Sequence, residues 1–198
     1  MITQARAQAR FEAQANHRKL FTLPDGGEML IRESIPEDAR GLREMFARCS
    51  HETIYLRFHL PLPTVPERTI ELLAGAGDVH RDSRAVVAVD DGGGIAGYAM
   101  YARQRAHEAE MAIVVEDRRQ SRGIGKLLLT RLAEEAGGRR IEAFTSTVLG
   151  ENRGALRFFS SVLSKAKFKI REGVYHLYVP LPGPEAGVTE YTRMTGTA

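Results

Sequence analysis

The seven residues Gln120-Ser121-Arg122-Gly123-Ile124-Gly125-Lys126 carry the most specific chemical signal in the chain. They separate an apolar run, Ala109 to Val115, from a stretch in which Ile124, Leu127, Leu128, Leu132 and Ala136 recur at helical spacing. A turn that opens a helix presents unpaired N–H groups, and the positive end of the helix dipole adds to their pull on an anion. Glycines at 123 and 125 let such a ligand reach the backbone with no Cβ in the way. Arg122 and Lys126 add charge, so the stretch reads as a pyrophosphate cradle. Upstream, Glu110 is the charged residue inside the apolar run. A carboxylate among apolar neighbours has a raised pKa and suits general base work. Alternation puts it on the face of Ala112 and Val114, with Glu108 as a competitor on that face.

Two familiar phosphate loops do not fit. A P-loop needs glycine where Gln120 stands and Ser or Thr where Leu127 stands. The dinucleotide fingerprint needs a third glycine where Leu128 stands. The pattern Q-x-x-G-x-G after a strand instead resembles the GNAT superfamily of acyl-CoA-dependent N-acetyltransferases, over about residues 28 to 180. That resemblance implies acetyl-CoA as co-substrate. It implies that Gln120 leads a cradle in which the main-chain N–H groups of Ser121, Arg122, Gly123, Ile124, Gly125 and Lys126 hold the pyrophosphate. The backbone of Ile113, Val114 and Val115 would pair with the pantetheine arm as a neighbouring strand would.

A second patch, Glu151-Asn152-Arg153-Gly154-Ala155, is similar to the family's E-N-x-x-A and implies a contact from Asn152 to the CoA arm. Asparagine is also a favoured N-cap, and the two roles are compatible. Seven residues further on, where many members carry a tyrosine that protonates the leaving thiolate, stands Phe159. The Gly-Phe pair usual soon afterwards is absent as well. Either solvent supplies the proton, which a thiol pKa of ~8.5 allows, or the chain is a silent acyl-CoA-binding module.

Within the superfamily, Ala109-Glu110-Met111-Ala112 is similar to the A-E-x-A of the bacterial protein-lysine acetyltransferases, the Pat group, whose glutamate is the proposed base. Ser50-His51-Glu52-Thr53-Ile54-Tyr55-Leu56-Arg57-Phe58 is similar to the loop beside their acceptor site. His51, Tyr55, Arg57 and His59 then either line an acceptor pocket or serve packing, and Phe58 reads as core. The implied activity is acetyl transfer to a primary amine, foremost a protein lysine. Small-molecule amine acetylation and a silent sensor module are the alternatives.

These residues need elements to hold them. Residues 28 to 33 alternate as a first strand, and Ser34-Ile35-Pro36-Glu37 has capping-box spacing before a helix over 36 to 48. His51 to Phe58 reads as a second helix, and Thr64-Val65-Pro66-Glu67 starts a third that Gly75 and Gly77 end. Strands at 85 to 89, 95 to 103 and 109 to 115 form a meander. The cradle helix, stopped by Gly137-Gly138, leads to a strand at 140 to 149 and a helix at 152 to 163. A hairpin of 168 to 170 and 174 to 179 turns about Glu172-Gly173. The resulting class is α/β (α+β): a mixed, largely antiparallel sheet of six to seven strands flanked by helices. The GNAT resemblance implies that it splays between strands four and five.

At 198 residues and 43% apolar content, one domain is expected over 21 to 180. Residues 1 to 20 form a basic leader, frayed or docking, and 181 to 198 a mobile tail. The leader's excess of three basic residues accounts for the net charge of +3, which leaves the domain balanced and speaks against nucleic acid. No apolar run approaches the ~18 residues of a membrane span. A single cysteine, Cys49, excludes an internal disulfide framework and fits the reducing cytoplasm. The scattered histidines give no metal-ligand spacing. A monomer or a homodimer is expected.

Overall fold

The computed structural model describes residues 18–76, 82–163 and 165–183. Most of the expected leader and tail, together with Gly77, His17 and His80, lies outside the described residues. Eight strands form one sheet: β1 (Lys19–Thr22), β2 (Glu28–Glu33), β3 (Ser83–Asp90), β4 (Ile95–Arg103), β5 (Glu108–Val115), β6 (Ala143–Leu149), β7 (Lys167–Arg171) and β8 (Val174–Pro180). Their spatial order is β1-β2-β3-β4-β5-β6-β8-β7, antiparallel except where β5 meets β6. Among the described residues five helices flank it: α1 (Ala39–Ala47), α2 (His51–Phe58), α3 (Glu67–Ala74), α4 (Ile124–Gly137) and α5 (Arg153–Val162).

The expected class holds, with eight strands in place of six or seven. The addition is β1, which begins at Lys19, inside the stretch read as leader, and pairs with β2 from Lys19↔Ile31 to Thr22↔Glu28. Four residues are too few to show a period, and Leu20 stays 62% exposed, so the strand has little apolar signature. Lys19 Nζ anchors it by a 2.9 Å ion pair to Glu134 on α4. The capping box at Ser34 and Glu37 does not form. Asp38 instead accepts from the N–H of Ile35 at 2.9 Å and pairs with Arg32, while the Ser34 hydroxyl donates to the Ala74 carbonyl.

Two cores sandwich the sheet. On one face Leu128, Leu129 and Leu132 of α4 and Phe159 of α5 pack with Ile31, Val86, Met111, Phe144 and Leu177. On the other, Leu42 and Met45 of α1 and Ile70 and Leu73 of α3 pack with Val87, Tyr98 and Val114. The second cover ends at β5, so on β8 and β7 the side chains of His176, Tyr178, Lys167 and Lys169 on that face are exposed. Register also ends early between the parallel strands. β5 and β6 pair only at Glu108↔Ala143, Ala109↔Phe144 and Glu110↔Thr145. Beyond Glu110 they part, which opens the expected splay. Among the described residues no helix is long and apolar enough to cross a membrane.

Candidate active site

The parted strands leave β5 with a free edge. The Glu116 N–H donates to the Ala96 carbonyl of β4 at 2.9 Å, and the ladder continues through Gly97↔Val115 and Tyr98↔Val114. Hydrogen-bonded pairs alternate along an antiparallel ladder, so Val114 turns its polar groups to β4 while Ile113 and Val115 turn theirs to the gap. The strand-like edge is thus Ile113 and Val115, with Val114 contributing its position and not its amide. A cleft of about 960 Å³ fills the gap. Glu52, Thr53, Leu56 and Arg57 of α2 form one wall, and Asn152, Ala155, Arg157 and Phe158 at the start of α5 the other.

The floor of the cleft at its far end is the glycine turn. Ser121 and Gly123 both take left-handed backbone, with φ of 60° and 87°, and bend the chain into α4. A Cβ on Gly123 would meet nothing within 4 Å, so its α-carbon faces open space. A Cβ on Gly125 would meet the Phe158 ring at 3.2 Å. The Gln120 amide donates to the Val115 carbonyl at 3.1 Å and ties the turn to the strand end. Lys126 lines the cleft. Arg122 does not, because its guanidinium pairs with Asp25 of the β1–β2 turn, and the Ile124 side chain is buried in the core. Only the main chain of these two residues remains for an anion. Arg119, which no motif singled out, lines the cleft in their place and pairs with Asp90 at 2.7 Å.

Asp117 docks the α2 wall. Its carboxylate accepts from the N–H and hydroxyl of Ser50 at 2.9 and 2.7 Å and from the Thr53 hydroxyl at 2.9 Å. Burial by itself raises the Asp117 pKa, but those donors outweigh it and hold the carboxyl below its ordinary value. Asn152 Oδ1 accepts from the Ala155 N–H at 2.9 Å, which is the expected N-cap, and the residue also lines the cleft. On α2, Tyr55 bonds to Glu151 beside it, and that bond raises the phenol's pKa. Phe58 packs against Phe46 with centroids 5.7 Å apart, as core.

Glu110 lines a second, smaller groove of about 590 Å³ on the uncovered face of the sheet. The apolar setting expected for it is not formed. Its side chain is exposed and accepts from Gln104 Nε2 at 3.2 Å. Glu108 lines the same groove but pairs with Arg105 at 3.2 Å. Thr145, His176, Tyr178 and Lys167 complete it, all brought there by strand register that no motif announces. Cys49 takes no part. Desolvation foremost, then the charges of Asp117 and Glu116, push its thiol up to about 12, which leaves no thiolate at neutral pH. Among the described residues no cluster of His, Cys, Asp and Glu could hold a metal ion.

The model of the Acetyltransferase (GNAT) family matches residues 43–163, more than half of the chain. The chain belongs to this family. Among solved structures, the GNAT domain of S. lividans PAT is similar at 27% identity and a TM-score of 0.75, with 83% of this chain and 97% of that one covered. YncA from Salmonella typhimurium, solved with acetyl-CoA, shares the fold at 18% identity and a TM-score of 0.63, covering 80% and 99%. A cAMP-binding acyltransferase from Mycobacterium smegmatis does so at 20% identity and a TM-score of 0.57, and this chain, 91% covered, spans 56% of it.

Against the GNAT pattern, one cleft gathers Ile113, Val114, Val115, Gln120, Ser121, Gly123, Gly125, Lys126 and Asn152. The cleft also collects Thr53, Leu56, Arg119 and Phe158, which sequence reading had not singled out. Phe159, at the family's tyrosine position, is 4% exposed and faces the core. Its neighbour Phe158 faces the cleft. No hydroxyl at position 159 would reach the cleft without a shift of α5.

Proposed function

We propose that this GNAT protein transfers the acetyl group of acetyl-CoA to a primary amine, foremost a protein lysine, as the Pat group does. The observation that carries this reading is the sharing of β5. The donor cleft takes Ile113 to Val115, and an open groove takes Glu108 and Glu110 on the same strand. Pyrophosphate oxygens at the N–H groups of the Gly123 turn and a pantetheine arm along Ile113 and Val115 would bring the thioester toward Glu110. An incoming ammonium, with a pKa of ~10.4 for lysine, must first lose a proton. Glu110 takes it directly or through water. The amine nitrogen then bonds to the carbonyl carbon and gives up its surplus proton to water, the C–S bond breaks, and the thiolate takes a proton from solvent.

A protein acceptor is favoured because the groove does not enclose its ligand. Sites for small molecules are concave and bury most of what they hold, whereas Glu110, His176, Lys167 and Lys169 are exposed. The proposal takes residues 21 to 180 as the catalytic domain and the cytoplasm as its compartment. CoA release from acetyl-CoA, measured against proteins, polyamines, amino acids and aminoglycosides, tests it. Turnover confined to proteins is expected. Tight acetyl-CoA binding with no turnover on any amine would make the chain a silent module.

A further inference from the structure

Arg57 is a half-buried cation without a counter-ion among the described residues. Its Nε is withdrawn from solvent with no hydrogen-bond partner, and among the described residues no carboxylate forms an ion pair with it. Its guanidinium carbon lies 4.8 Å from the centroid of the Phe58 ring. Burial lowers its pKa from the ordinary value, and the charge of Glu110 is one influence that opposes this. A partly desolvated charge with a sequestered, unbonded N–H costs stability, so its retention beside the cleft points to an anion that arrives from elsewhere. The place is defined by the cleft: Arg57 lines it together with Ile113 and Val114, on the same strand as Glu110.

We infer that Arg57 is an anion-stabilising catalytic residue for the carbonyl oxygen and sulfur of the thioester, serving where Phe159 has no proton to give. The inference rests on the amine-transfer reading above. As the N–C bond forms, the carbonyl π electrons move onto oxygen. They return as the C–S bond breaks, and that bond's pair ends on sulfur. The amine's surplus proton goes to Glu110 or water. Both charges develop near the guanidinium, at a partly desolvated place in the cleft, where a fixed cation acts more strongly than it would in water. The thiolate is held as an anion until solvent protonates it, so no phenol is required.

Other charged groups near Arg57 do not replace it. Tyr98 of β4 gives its hydroxyl to the Leu73 carbonyl at 2.8 Å. Glu52 and Glu151 line the cleft but are anions, and the Asp117 carboxylate is held by Ser50 and Thr53. Lys126 and Arg119 lie in the cradle, at the phosphate end.

The test is the ionisation of the CoA thiol bound to the full chain, read as thiolate absorbance in the ultraviolet, with the desulfo-CoA complex as blank. In the wild type the bound thiol should titrate at least about one unit below its free value of ~8.5. Arg57→Gln should return it to that value, and Arg57→Lys should keep most of the shift. Arg57→Gln should also lower kcat by roughly 10²–10³ with the acetyl-CoA KM little changed. Neither variant leaves a buried carboxylate unpaired, and Arg57→Met keeps the packing over Phe58 should glutamine fail to fold. An identical thiol pKa in wild type and the neutral variants overturns the inference. A shifted thiol with no turnover on any amine upholds it and overturns the amine-transfer reading instead. Absence of CoA binding overturns both.

Discussion

The rings of Phe158 and Phe159 meet edge to face, 5.2 Å apart, with Phe158 on the cleft and Phe159 in the core. Restoring a tyrosine at 159 therefore restores no acid. Phe159→Tyr places a hydroxyl in an apolar core, where a group left unsatisfied costs about 1–3 kcal/mol. Thermal unfolding should shift downward by that equivalent, while kcat stays within a factor of about two of wild type. A gain in kcat would mean that α5 turns the hydroxyl into the cleft.

The cradle is tested best at Gly123. Its φ of 87° disfavours any side chain, so Gly123→Ala should cost about 1–2 kcal/mol whether or not a ligand binds. Gly93, with φ of 79° and nothing within 4 Å of a built Cβ, is the matched control away from the cleft. Both variants should lose similar stability, but only Gly123→Ala should lose acetyl-CoA affinity, by roughly tenfold or more, in calorimetric titration. Gly125 is a poorer probe, since a Cβ there strikes Phe158 whether or not a ligand is bound.

Asp117 gives a pH signature. Its folded pKa lies below the ordinary value, so the docking of α2 contributes fully above ~3.9 and is lost as pH falls through the lowered folded value. Asp117→Asn should cost about 1 kcal/mol at neutral pH, a modest figure because these hydrogen bonds face solvent. The gap between the wild-type and variant unfolding curves should close in acid. A gap that persists in acid below the lowered folded value would assign the effect to packing and not to charge.

How much of this was legible depended on the range of the interaction. The strand-turn-helix at 109 to 137 showed itself because a change of hydrophobic period and two glycines are local signals. Asn152 was legible for the same reason, as its cap bond spans three residues. The fate of Arg122 was not, because Asp25 reaches it only through the β1–β2 hairpin. Alternation placed Glu110 on the correct face but could not say where the cover of that face stops, and the cover stops short of it. Phe159 could be matched by spacing from Asn152, yet the direction of its ring follows from how α5 sits on the sheet. His176 and Lys167 reach the groove by hairpin register, which a short strand shows only weakly.

The domain edge is open to a truncation series. Removal of residues 1 to 17 should leave acetyl-CoA affinity and thermal stability unchanged, since the cleft lies wholly downstream. Extension of the deletion through Thr22 removes β1 and the Lys19–Glu134 pair, and should lower the unfolding temperature. If the leader docks on a second copy, the shorter deletion should change the mass seen by light scattering. Loss of cofactor binding in a folded 1 to 17 deletion would place the domain edge further upstream.

Glu110→Gln addresses the chemistry itself. The substitution keeps size and the contact with Gln104 but cannot accept a proton at neutral pH. Acetyl-CoA affinity should hardly change, because the edge of β5 proposed to meet the cofactor is main chain at Ile113 and Val115. The kcat should fall by roughly 10²–10⁴, the usual worth of a general base. Glu108→Gln is the internal control, and with its carboxylate paired to Arg105 it should be mild. In wild type the rising limb of kcat/KM against pH reports the free enzyme's base together with ionisation of the amine. That limb should flatten toward the amine's own in Glu110→Gln. An active Glu110→Gln beside a dead Glu108→Gln would move the base two residues upstream along β5. If both stay active, the proton must leave through a histidine, and His176 in the groove comes before His51 and His59 on α2 and its cap.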